Sequence, residues 1–216
     1  MPDAALENLA VHQLCAFAAR RKAFVRLANV ASAGGRKRDD RLAGQVIALK
    51  EAQNWDEFKK AGIGLLLFGN VGTGKSYAAG CIANALIDRL ESVLFVGMSD
   101  VVNRMQGNFG ADRDHYMQSL MCPDLLVLDD LGAERNTSFS KECVFDVVDK
   151  RLLTGKPMIV TTNIQLSVMM QAADLDDRRI FDRILEVCVP IRFDGENFRK
   201  GNARANIKKA AEMLNG

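Results

Sequence analysis

Histidine, aromatic residues and paired cysteines are scarce in this 216-residue chain, and each shortage removes a class of function. Two histidines, His12 and His115, and five scattered cysteines with no C-x-x-C pair leave a zinc site almost without ligands. Cys15, Cys81, Cys122, Cys143 and Cys188 are expected instead to be small buried hydrophobes in a reducing compartment. Aromatic residues make up only 6% of the chain, too few for a broad platform on which nucleic-acid bases stack. Apolar runs such as Gly64–Gly69 and Leu125–Leu128 fall far short of the ~20 residues a membrane-spanning helix needs. The opening Met-Pro-Asp-Ala-Ala-Leu-Glu carries an acid where a secretory signal carries positive charge. A net charge of +2 imposes no global field that would demand a polyanionic partner. Together these absences predict a soluble, cytoplasmic protein with no membrane partner.

What is present is an ordinary core, 48% hydrophobic, with a change of texture near Ile63. Before it, Leu6, Leu9, Ala10, Leu14, Phe17 and Ala18 keep a three-to-four spacing, and a second helical pattern covers 41–60. After it, short apolar runs alternate with helical segments, as in a parallel α/β sheet. The predicted strands are Leu65–Phe68, Val93–Val96, Leu125–Leu128, Met158–Val160 and Val187–Ile191. All but the last, which contains Pro190, read as buried on both faces. The expected organisation is a helical N-terminal extension over 1–60, a partner-binding candidate, then an α/β core over 61–200. A basic helical tail over 201–216 completes it.

The first predicted strand runs into Gly69-Asn70-Val71-Gly72-Thr73-Gly74-Lys75-Ser76 and then a helix. Every fixed position of G-x-x-x-x-G-K-[ST] is filled in the strand–loop–helix setting that a phosphate loop requires. Glycines let backbone N–H groups turn inward around phosphates, and the following helix N-terminus adds partial positive charge. Lys75 is expected to reach the β- and γ-phosphates, and Ser76 to place its hydroxyl on Mg²⁺.

A second acidic element follows in Asp124-Leu-Leu-Val-Leu-Asp129-Asp130, two carboxylates at the C-terminal end of a strand, where ligands of open α/β sheets bind. Asp129 is expected on Mg²⁺ and Asp130 on the attacking water. The extra strand Val93–Val96 stands between the two motifs and is expected to separate the loop strand from the acidic strand. Asn163, ending Met158-Ile-Val-Thr-Thr-Asn, is expected to sense the γ-phosphate or its water. No N-K-x-D element for reading guanine occurs, which favours ATP over GTP.

With phosphate loop, doubled acid, Asn163 and a late arginine pair in order, the chain resembles the AAA+ ATPases of the DnaC/DnaI/IstB-like family. The resemblance runs from about Asn54 to Arg199. It is densest at the phosphate loop, at Asp124–Arg135, at Gly155–Asn163 and at Arg179-Ile-Phe-Asp-Arg183-Ile-Leu-Glu186. The Asp-Asp-Leu-Gly-Ala-Glu and Asp-Arg-Ile-Leu-Glu pieces look closest to its Gram-positive and prophage branch. The resemblance implies an α/β AAA+ P-loop ATPase core, a five-stranded parallel sheet sandwiched by helices, that hydrolyses ATP with Mg²⁺. By position, Arg183 matches the arginine finger that reaches the ATP of an adjacent subunit, implying an ATP-dependent homo-oligomer. Arg179 resembles a second interface arginine, and Arg199 the family's second sensor. A plainer reading stands beside this one, with Arg179 and Arg183 paired to Asp176, Asp177 or Glu186 on a surface helix.

The chain also departs from the family. It has no ligands for the N-terminal zinc module of some loaders, and Asp130 replaces the commoner Glu, which implies slow turnover. The leading function is helicase loading onto single-stranded DNA, with Arg104 and Arg113 as candidates to line a DNA path. A transposition helper that binds DNA and recruits a transposase shares the whole core, and a small-molecule kinase is a third possibility.

Overall fold

The computed structural model describes residues 54–107 and 110–193, together with Met213. The expected extension before residue 54, the tail apart from Met213, and Arg199 lie outside the described residues, as does Cys15. Twelve elements are described: α1 (Trp55–Ala61), β1 (Gly64–Gly69), α2 (Lys75–Asp88), β2 (Val93–Gly97), α3 (Met98–Gly107), α4 (Ala111–Met121), β3 (Leu125–Leu131), α5 (Ser138–Leu153), β4 (Met158–Thr162), α6 (Leu166–Met170), α7 (Leu175–Val187) and β5 (Cys188–Phe193).

The strands form one five-stranded sheet in the order β2-β3-β4-β1-β5, with every pairing parallel. This corrects the expected position of the extra strand. Val93–Val96 lies at the sheet edge, and β4 separates the loop strand β1 from the acidic strand β3. Its edge position also explains why β2 is half-buried throughout rather than buried on both faces. β5 forms the other edge and accommodates Pro190 opposite Leu66 of β1. There the proline's missing donor costs little.

Strand alternation sorts the apolar residues into two layers. Leu65 and Leu67 of β1, Leu125 and Val127 of β3 and Ile159 of β4 pack with Trp55 and with Ala78, Ala79, Ile82 and Leu86 of α2. The α2 residues repeat at helical spacing, so one stripe of that helix covers the sheet. Leu66, Leu126, Leu128, Met158 and Val160 face the opposite side, against α3, α5 and α7. Two helix starts carry side-chain caps: Thr137 accepts Ser140 N–H for α5, and Asp174 accepts Asp176 and Asp177 N–H for α7. Cys143 and Cys188 are buried as expected, whereas Cys81 and Cys122 are only half-buried.

Because all strands run the same way, their C-terminal ends share one edge. The phosphate loop, the doubled acid and Asn163 are thereby gathered from β1, β3 and β4. Among the described residues no helix is long and apolar enough to cross a membrane.

A candidate nucleotide site at the carboxyl edge of the sheet

The loop from Gly69 to Ser76 joins β1 to α2, and its glycines do specific work. Gly69 adopts φ +135°, and a Cβ there would stand 2.3 Å from the Phe193 carbonyl oxygen of the neighbouring strand. Gly74 adopts φ +97° immediately before α2, opening the helix without a side-chain cap, so its first N–H groups face the loop. The Thr73 hydroxyl closes the loop on itself, donating to the Asn70 carbonyl at 2.9 Å.

Lys75 is the charged centre of this cradle and is only 5% exposed. Its ammonium donates to the carbonyls of Gly69 (2.9 Å) and Asn70 (2.7 Å) and to Oδ1 of Asn163 (2.8 Å). The Asn163 contact brings the phosphate loop together with the residue expected to sense the γ-phosphate. A second bridge runs beside it, from Gln165 Nε2 to Asn70 Oδ1 at 3.3 Å. Gln165 was not among the expected site residues; only its place two residues after Asn163 hinted at it.

Asp129 and Asp130 are half-buried at the end of β3, next to β4. The Thr161 hydroxyl donates to Asp129 Oδ1 at 2.6 Å and accepts the Asp130 N–H at 3.0 Å. Thr161 too was missed, because its link to the acids crosses between strands and leaves no local pattern.

The donor set fits the expected ligands. Phosphate oxygens suit a buried ammonium beside the N–H groups that open α2. The Ser76 hydroxyl and the Asp129 carboxylate are hard oxygen donors of the kind Mg²⁺ uses when phosphates complete its shell. Ser76 is half-buried at the first turn of α2.

The arginines are placed differently. Arg183 lies on α7, with Nε 3.1 Å from Asp149 of α5 and Nη1 3.0 Å from Glu186. The plainer ion-pair reading is therefore met at Glu186. Arg179 stacks its guanidinium over Phe145, 4.6 Å from the ring centroid. Both arginines thus contact α5, and neither has a described contact with the phosphate loop. Arg104 stacks over Tyr116 at 4.4 Å, and Arg113 stands 3.6 Å from Asp146, so both candidates for a DNA path have partners within the chain.

The family described as IstB-like ATP binding protein matches residues 46–206. The replicative helicase loader DnaC of Escherichia coli K12 is 31% identical over 145 residues, covering 65% of this chain and 58% of that protein. The replicative helicase loader DnaI of Bacillus subtilis is 28% identical over 149 residues, covering 64% of this chain and 48% of that protein. This chain thus spans only about half to three-fifths of these relatives. The crystal structure of the DnaC helicase loader superposes with a TM-score of 0.64 at 21% identity, over 79% of this chain and 98% of that one. That likeness confirms the expected fold, a five-stranded parallel sheet sandwiched by helices. The match spans the phosphate loop, the doubled acid, Asn163 and both α7 arginines: this chain belongs to the IstB-like ATP-binding protein family.

Proposed function

We propose that this protein is an ATP-hydrolysing loader that binds a replicative helicase and assists its placement on single-stranded DNA. The observation that carries the reading is the 2.8 Å contact between Lys75 and Asn163. It joins the phosphate loop to the end of β4, beside the doubled acid, in a chain whose relatives are named as replicative helicase loaders. A helicase partner would place the protein in the cytoplasm.

Lys75 and the loop N–H groups would hold the β- and γ-phosphates of ATP, and Ser76 with Asp129 would hold Mg²⁺. When bound, the ion neutralises charge on the phosphates. Asp130 orients the attacking water and takes up its proton. Phosphate oxygens compete with the Gly69, Asn70 and Asn163 oxygens for Lys75, so nucleotide arrival frees Asn163 for the γ-phosphate. A carboxylate one methylene shorter than Glu suits slow turnover, and slow turnover suits a switch in which ATP marks one assembly state.

Arg183 completes the site of a neighbouring subunit, with Arg179 as a second interface arginine and Arg199 as a sensor in cis. The Arg183 side chain is 43% exposed, so its pairs with Asp149 and Glu186 are exchangeable, each worth about 1 kcal/mol or less.

The test uses the purified chain, its host's replicative helicase and ATP. Wild-type protein should co-elute with the helicase, and Lys75→Ala should lose ATP binding while remaining folded. Turnover should rise with protein concentration. Arg183→Ala should abolish that rise, and mixing it with Lys75→Ala should restore part of it. Failure to co-elute with the helicase would overturn the loader reading, and co-elution with the host's transposase in a parallel run would favour the transposition helper. Weakened ATP affinity in dilute Arg183→Ala would show that this arginine acts in cis.

A further inference from the structure

Two adjacent carboxylates on a regular strand point to opposite faces of the sheet, because successive side chains alternate. Strand β3 keeps this rule up to Leu128. Leu125 and Val127 pack on the α2 side, and Leu126 and Leu128 on the α5 side. Continued further, the alternation would leave Asp129 on the α2 side, where the phosphate loop opens, and send Asp130 to the other. The strand does not continue in that way. Its register with β4 breaks between Leu128 and Leu131, and Asp130 takes a left-handed φ of +55°.

Leu128 faces Val160 and Leu131 faces Thr162, so both acids stand opposite a single residue, Thr161. A bulge of this kind leaves ladder groups without their usual partners, and a left-handed φ is disfavoured for a residue bearing a Cβ. Thr161 supplies what the ladder lacks. It is fully buried, and its one oxygen works in both directions. The hydroxyl donates to Asp129 Oδ1 at 2.6 Å and accepts the Asp130 N–H at 3.0 Å.

We infer that Thr161 is the positioning residue of the doubled acid. Its hydroxyl sets where the Asp129 carboxylate stands and holds Asp130 in the conformation that turns it out of the strand. The sequence reads Asp-Asp, but two acids serve one site only because a hydroxyl on the adjacent strand meets both. For its effect on turnover the inference rests on the hydrolysis reading above; for its effect on Mg²⁺ it rests only on the proposed placement of Mg²⁺ at Asp129.

Thr161→Val keeps the shape and branching of the side chain and removes the hydroxyl. Thr161→Ser keeps the hydroxyl. Affinity for a fluorescent ATP analogue, with and without Mg²⁺, is measured alongside ATP turnover and thermal unfolding. In Thr161→Val, affinity without Mg²⁺ should be unchanged. The Mg²⁺ needed for half-saturation should rise, and kcat should fall, each by ~10–100-fold, the range for removing a group that orients a metal ligand. The KM for ATP should move less than kcat, and Thr161→Ser should restore both. If the valine variant does not fold, Thr161→Cys carries the same test, since a thiol of similar size is a weaker donor and acceptor. Wild-type Mg²⁺ dependence in a folded valine or cysteine variant would overturn the inference. A wild-type protein without turnover would count against the hydrolysis reading, and the Mg²⁺ comparison would still decide the role of Thr161.

Discussion

Lys75 and Arg151 are both buried cations held by backbone carbonyls, at opposite ends of the same sheet. Lys75 sits at the carboxyl edge, on acceptors from one glycine-rich loop and from Asn163. Arg151, fully buried near the end of α5, sits at the amino edge. Its nitrogens donate to the carbonyls of Met121, Pro123, Asp124 and Pro157, the segments that enter β3 and β4. Burial draws its pKa down to about 10, so it remains charged at neutral pH. The amino edge is further tied by Asp124, which accepts from the Ser92 hydroxyl and backbone and pairs with Lys59 at 2.9 Å. One edge spends its charge on fixed carbonyls from separate segments and is stability. The other holds its charge on the acceptors of a single loop and Asn163, at the edge where the nucleotide site is proposed.

Arg151→Met probes this contrast most severely. The substitution leaves buried carbonyls without a donor and should cost about 3–5 kcal/mol, the scale for removing one partner from a buried charged network. Urea unfolding measures it, and ATP affinity of the folded fraction should not change. A loss below about 1 kcal/mol would mean that water replaces the guanidinium, and the two edges would differ less than proposed.

Asp130→Asn tests the other edge. It keeps size and polarity but removes the carboxylate proposed as the base, so turnover should fall ~10²-fold or more while ATP still binds. That corresponds to about 2.7 kcal/mol on the barrier. Stability should stay near wild type. If Asp129→Asn, rather than Asp130→Asn, retained binding but lost turnover, the division of labour between the acids would be reversed.

The mildest effect is read in acid. Burial alone would raise the Asp124 pKa, but hydrogen bonds from Ser92 and Lys59, with the Lys59 charge, hold it at about 2. A depressed carboxylate stabilises the fold above its unfolded pKa, near 3.8, and that contribution disappears as pH falls towards 2. Screened by solvent at this partly exposed group, the amount is about 1 kcal/mol. Wild-type protein should therefore lose this increment between about pH 4 and pH 2, and Asp124→Asn should lack that part of the acid dependence. Equal acid slopes in the two proteins would remove Asp124 from the stabilising edge.

Legibility followed the range of the interactions. The phosphate loop could be read because its chemistry is confined to consecutive residues: glycines, a lysine and a serine between a strand and a helix. Five strands and the helices between them could be read from apolar periodicity for the same reason. Arg151 and Thr161 could not, since most of their partners lie about thirty residues away in sequence. Arg151 looked like any basic residue in the last turn of a helix, and Thr161 like a strand residue of ordinary β-propensity. The place of β4 between β1 and β3 was equally hidden, because adjacency in a parallel sheet is decided by crossover packing rather than by chain order.

The sequence by itself determined the elements, the glycine-rich loop between strand and helix, and the presence of two acids at a strand end. Each depends on local conformational preference and on the chemistry of neighbouring residues. Tertiary structure alone decided which strand stands between loop and acids, where the buried Arg151 finds its acceptors, and how Asp129 and Asp130 come to meet one hydroxyl. Those outcomes depend on hydrogen bonds between strands, and a donor on β4 can meet acids on β3 only after the sheet has set their register.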